Sequence, residues 1–119
     1  MSTNKAIWIS YDFGIKGDYN GLYTWLDNND AKECGVGLAY CRFDVSKLGI
    51  DSTDKQLIAK LTLDLRKSVK LSRTDRLYVI WKDSITGKIK GEFVSGARKQ
   101  APWEGYGQLK SEKGSVDGE

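Results

Sequence analysis

Histidine is absent from all 119 residues of this chain. That removes the side chain that most often acts as a general base near neutral pH, and the usual partner of a nucleophilic serine or cysteine. Triad hydrolysis is excluded, and any chemistry must rest on carboxylates with a hard divalent metal or on lysine, tyrosine or cysteine in unusual settings. Cysteine is scarce as well, with only Cys34 and Cys41. Two thiols without histidine do not supply the four ligands of a structural zinc, so both are expected to be reduced and mostly buried. No apolar run approaches the ~18–20 residues that cross a bilayer, and the opening MSTNKA lacks the apolar core of a secretory signal. The expected compartment is the cytoplasm, that of a host if a mobile element encodes the chain, with no membrane partner.

An apolar fraction of 39% with 13 aromatic residues is enough for one domain with a core of its own. The net charge of +3 is unevenly spread. Residues 60–99 carry 11 basic and 4 acidic side chains, whereas 1–59 carry 6 and 8. Such a concentration attracts polyanions, because each phosphate neutralised releases condensed counterions, and it also fits a solvated lysine-rich helix face.

Ile7, Ile9, Tyr11 and Phe13 alternate with Trp8, Ser10 and Asp12, the period of two that sends neighbours to opposite faces of a sheet. Tyr19, Leu22, Tyr23 and Leu26 follow at i, i+3, i+4 and i+7 behind a capping Asp18, which predicts a helix with one apolar face. Gly21 within it costs about 1 kcal/mol relative to alanine, a sign of close packing against another element. Asn28-Asn29-Asp30 is a turn signal. Ala31–Gly35 then reads as a short strand antiparallel to Leu38–Asp44, with one bent strand through Cys34–Asp44 as the competing reading. Thr53-Asp54-Lys55-Gln56 has the form of a capping box. Behind it Leu57, Ile58, Leu61, Leu65 and Val69 make a core stripe, and Leu63 sits among charges. RLYVIWK at Arg76–Lys82 reads as a central strand. After the turn-rich Asp83–Gly87, Lys88–Ser95 alternates as an outer hairpin strand with one face in water. In the expected strand order Leu38–Asp44 and Arg76–Lys82 flank the first strand. Gly96–Gly107 contains the only proline and no period, so it is a loop or arm. One domain is expected over 1–109, including an aromatic and basic arm at 96–109, with a flexible polar tail at 110–119.

The strand ending in Tyr11-Asp12, the GDYxxLYxxL helix from Gly17 to Leu26 and the short Ala31–Cys34 segment resemble small ferredoxin-like proteins related to the CRISPR adaptation nuclease and toxin–antitoxin endoribonucleases. The likeness covers roughly the first 45 residues. It implies a ferredoxin-like βαββαβ α+β sandwich, two helices on one face of an antiparallel sheet, which the chain after Lys82 extends by a further hairpin strand. It also implies that Asp12 is the catalytic or metal-binding candidate, holding magnesium between two subunits of a homodimer. The residues alone allow a simpler role for Asp12, a turn acceptor for the Gly14–Gly17 backbone.

Arg98, Lys99, Trp103 and Tyr106 form the best basic and aromatic constellation, since cations neutralise phosphate while rings stack on bases. The alternative is that Trp103 and Tyr106 fold back over the sheet as a lid. Arg73, Arg76 and Lys90 add candidate ligand contacts. Trp25 lies off the centre of its helix stripe and, with Leu63, is the candidate interface residue. The leading expectation is a dimeric, non-catalytic module for nucleic acid or a nucleotide ligand, with a regulatory or defence-related role. The alternatives are an inhibitor or adaptor from a mobile element that meets an acidic protein partner, and a metal-dependent endoribonuclease. No cofactor other than that magnesium follows.

Overall fold

The computed structural model describes residues 4–44, 46 and 53–107. Among them the elements run β1 (Asn4–Asp12), α1 (Tyr19–Asn28), β2 (Lys32–Glu33), β3 (Leu38–Asp44), α2 (Asp54–Ser68), β4 (Arg76–Lys82) and β5 (Ile89–Ser95). The architecture is α+β: two helices and a five-stranded antiparallel sheet in the order β2-β3-β1-β4-β5. β3 and β4 flank β1, and β5 is outermost beside β4, the positions that their patterning predicts. The single bent strand is ruled out. Lys32 and Glu33 pair antiparallel with Tyr40 and Ala39, and Gly35 and Gly37, both at positive φ, carry the reversal. The polar tail expected at 110–119 lies outside the described residues.

One side-chain parity is buried along β3 and β4 and in the middle of β1, while β5 buries Val94 alone. Ile7 and Ile9, then Ala39, Cys41 and Phe43, then Leu77, Val79 and Trp81, join Val94 in a single core with residues of both helices. Both helices therefore cover the same face of the sheet. From α2 and its exit come Leu57, Ile58, Leu61, Leu65 and Val69, the whole of the predicted stripe, and its capping box is complete, Thr53 accepting from the Gln56 amide and Gln56 from the Thr53 amide. Burial pushes the Cys41 thiol up to about 11, while Cys34 is exposed, against the expectation that both are covered.

Helix α1 departs from its predicted orientation. Its buried residues are Leu22, Trp25 and Leu26, and Trp25 is only 4% exposed, which corrects its assignment as a free interface residue. The reason is its neighbour: the indole stacks on Phe43 of β3, centroids 6.4 Å apart, so α1 is rolled toward that strand. Tyr23 is turned outward as a result and meets Tyr11 edge-on.

Two carboxylates fasten the loops. Asp18 accepts from the Gly21 amide at the start of α1 and from the Lys70 amide beyond α2. Buried Asp75 accepts from the Gly14 amide and from the amide and hydroxyl of Ser72. The turn acceptor for Gly14 is thus Asp75, and Asp12 is left for another partner.

Candidate functional site

The parity that puts Ile7, Ile9, Leu77 and Val79 under the helices puts their neighbours on the opposite face. Register pairs Trp8 with Tyr40 and with Ile80, Ser10 with Leu38 and with Tyr78, and Tyr78 with Phe93. Four aromatic rings, Trp8, Tyr40, Tyr78 and Phe93, therefore share one face of the sheet, all partly exposed. They touch in pairs across strands, Trp8 with Tyr40 at 5.1 Å and Tyr78 with Phe93 at 4.6 Å between centroids. Among the described residues neither helix covers this face. Gly91 of β5 leaves the space that the Tyr78 ring occupies, since a Cβ there would collide with it. At the margins the same register places Lys32, Arg42, Arg76 and Lys82.

At one end of the face Ser10, Asp12, Arg76, Tyr78, Phe93 and Arg98 line a cavity of about 160 Å³. Asp12 and Arg76 are cross-strand partners, and an Arg76 Nη donates to Asp12 Oδ2 at 2.8 Å. The pair is presented to solvent, the Asp12 side chain being 62% exposed. Arg98 comes from beyond β5, where Gly96 at φ +82 lets the chain turn back against Arg76 and Asp75. Its guanidinium lies 5.7 Å from the centre of the Tyr78 ring and 5.8 Å from that of Phe93, within the range of cation–π attraction. A long hydrogen bond of 3.4 Å also joins it to the Tyr78 hydroxyl. One carboxylate and two guanidinium groups leave the cavity cationic.

Of the sequence-predicted residues, Asp12, Arg76 and Arg98 come together here. Lys90 does not: it pairs in register with Trp81 on the helix side and bridges Asp83 at 3.5 Å. Arg73 is exposed in the turn before β4, and Lys99 is exposed in the arm. Trp103 and Tyr106 are 72% and 71% exposed, so they do not close over the sheet as a lid; short turn contacts, Glu104 N–H to Ala101 C=O and Tyr106 N–H to Trp103 C=O, fold their segment on itself. Leu63 is 54% exposed on α2. Sequence reasoning missed Trp8, Ser10, Tyr40, Tyr78 and Phe93. The even-numbered parity shared by β1, β3 and β4 was the available signal for the first four.

The residues do not fit a magnesium site within one chain. Among the described residues no group of three or more acidic or thiol side chains is placed to hold a metal, and Asp12 faces a guanidinium. No described helix is long and apolar enough to cross a membrane. No family model, curated protein or solved structure matches this chain.

Proposed function

We propose that this chain is a small non-catalytic module of the cytoplasm that binds single-stranded nucleic acid on the uncovered face of its sheet. The observation that carries the reading is the set of four rings on neighbouring strands, rimmed by Arg42, Arg76, Lys82 and Arg98. Bases stack on such rings whatever their sequence, at about 1–3 kcal/mol each, while the rim neutralises phosphates. In this reading the sheet order represents a ferredoxin-like βαββαβ arrangement extended by β5. The likeness of the first strand and helix to nuclease-related proteins agrees with a regulatory or defence-related role.

The test is fluorescence anisotropy with short single-stranded RNA and DNA at low salt. Binding is expected, with a loss of at least tenfold in Trp8→Ala and in Tyr78→Ala, both checked for unchanged unfolding midpoints. No binding by folded protein, or equal binding by these variants, overturns the reading.

A second reading rests on Leu38, Ile80 and the exposed Ile89, which occupy the same face between and beside the rings. Two copies stacked sheet to sheet would bury these apolar groups, giving the homodimer. Sedimentation with and without oligonucleotide separates the two: a dimer that persists and excludes the strand favours the second.

A further inference from the structure

Resting on the single-strand reading above, we propose that the cavity at Asp12, Arg76, Tyr78, Phe93 and Arg98 is a base-selective subsite that prefers guanine. An ionised carboxylate accepts at about four lone-pair positions, and a guanidinium has five N–H donors in a fixed fork. The single bond between Arg76 Nη and Asp12 Oδ2 therefore leaves both groups with spare capacity, side by side at the open end of two paired strands. Together they offer two acceptors beside a donor.

Guanine has the complementary edge: two adjacent N–H donors, at N1 and N2, beside the O6 acceptor. Adenine and cytosine each present one exocyclic amine beside an acceptor nitrogen, and uracil and thymine present one N–H between two carbonyls. Each of these leaves one carboxylate position without its base donor. The difference is a charge-assisted hydrogen bond to a carboxylate that is open to solvent in the free protein and that a base stacked on Tyr78 and Phe93 would itself shield, the kind of contact from which base discrimination is built. The remaining lining supplies what a nucleotide also needs. Tyr78 and Phe93 give a ring wall for stacking, and Arg98, which makes no ion pair among the described residues, lies over those rings where a phosphate can meet it.

The experiment uses oligouridylate, and oligothymidylate for the DNA arm, each carrying one central guanine, adenine, cytosine or hypoxanthine, titrated by anisotropy. Guanine is expected to bind at least tenfold tighter than adenine or cytosine, and hypoxanthine, which lacks only the N2 amine, to lose most of that advantage. Asp12→Asn should abolish the guanine advantage while still binding the uniform oligomer. Equal affinity for all four central bases, with the oligomers bound, overturns the subsite and leaves the binding face standing. Absence of any binding overturns both. The base series needs no protein variant, so its outcome does not depend on how Asp12→Asn folds.

Discussion

Asp75 and Asp12 lie near one another in the fold, yet they have opposite energetic standing. Asp75 is buried and holds two backbone amides and a hydroxyl. Burial by itself pushes its carboxyl up, and the Ser72 and Gly14 amides more than offset this, so the net direction is down. Replacing it by alanine leaves buried donors unpaired and should cost about 1–3 kcal/mol. Asp12→Asn should cost less than about 1 kcal/mol, because an exposed pair such as Asp12–Arg76 is screened by water. Urea unfolding of the two variants checks the contrast, and equal losses would contradict it. Three other carboxylates share the direction of Asp75. Asp18 is lowered by the Lys70 and Gly21 amides. For Asp54 burial is outweighed by Ser84 and Lys5, and the amide and hydroxyl of Thr86 take Asp83 down to about 2. A depressed folded pKa contributes stability that is fully present above the unfolded value and is lost as pH falls through the folded one. The urea midpoint should therefore be level from about pH 5 to 7 and fall between about pH 4 and 2. A midpoint unchanged down to pH 2.5 would contradict the assignment of these four contacts.

Between elements, the contact of α1 with α2 sets the sharpest test of packing against propensity. A Cβ on Gly21 would stand 2.5 Å from the Ser68 carbonyl oxygen and collide with the Asp18 carboxylate. Helix propensity alone says that Gly21→Ala stabilises by about 1 kcal/mol. The geometry reverses the sign, since the added methyl must push the helices apart and loosen the Asp18 cap. A lowered thermal midpoint is expected, and a raised one would show that the helices yield freely. Trp25→Ala should lose about 3–5 kcal/mol, the cost of removing a buried aromatic residue, whereas Tyr23→Ala should lose much less. The same helices show what the sequence pattern could and could not convey. The stripe of α2 was legible because its apolar residues occupy one face and charges the rest. The orientation of α1 was not, because Tyr19 and Tyr23 on one side and Trp25 on the other are all aromatic, and the choice is made by Phe43 some 18 residues on. Gly21 was legible as a close approach, though not as one to Ser68. Asp12 stood out at a strand end, but its partner did not. The pairing of Asp12 with Arg76, and of Tyr78 with Phe93, depends on register between strands, which periodicity within one strand does not contain. The neighbours of Arg98 were hidden for the same reason. Trp103 and Tyr106 are close in sequence to Arg98, while the rings that Arg98 meets belong to the sheet.

At the scale of the whole molecule the sheet divides the charges into two populations, and this separates a binding face from a merely basic protein. Lys60, Arg66, Lys67 and Lys70 belong to α2 and its exit, on the covered side of the sheet, and there Arg66 already donates to the Val94 carbonyl and Lys60 bridges Asp64 at 3.8 Å. Lys32, Arg42, Arg76, Lys82 and Arg98 border the open side. The sequence-level excess of base over residues 60–99 is thus split between the faces. If single strands bind the open side, the logarithm of affinity should fall linearly with the logarithm of salt concentration, with a slope of about −0.7 per phosphate neutralised. With Arg76 held by Asp12, engagement of roughly three or four of the open-side cations gives a slope of about −2 to −3 by the same relation. Arg98→Ala should make the slope shallower by about 0.7, and Arg42→Ala likewise. Changing Lys67 and Lys70 together to alanine alters the net charge by twice as much and should leave the slope where it was, because those side chains face away from the strand. The measurement is a salt series of anisotropy titrations on the parent and the three variants. A slope that responds to net charge alone, so that the Lys67 and Lys70 change has the larger effect, would mean that nucleic acid meets the protein as a diffuse cation and that the aromatic face plays no part.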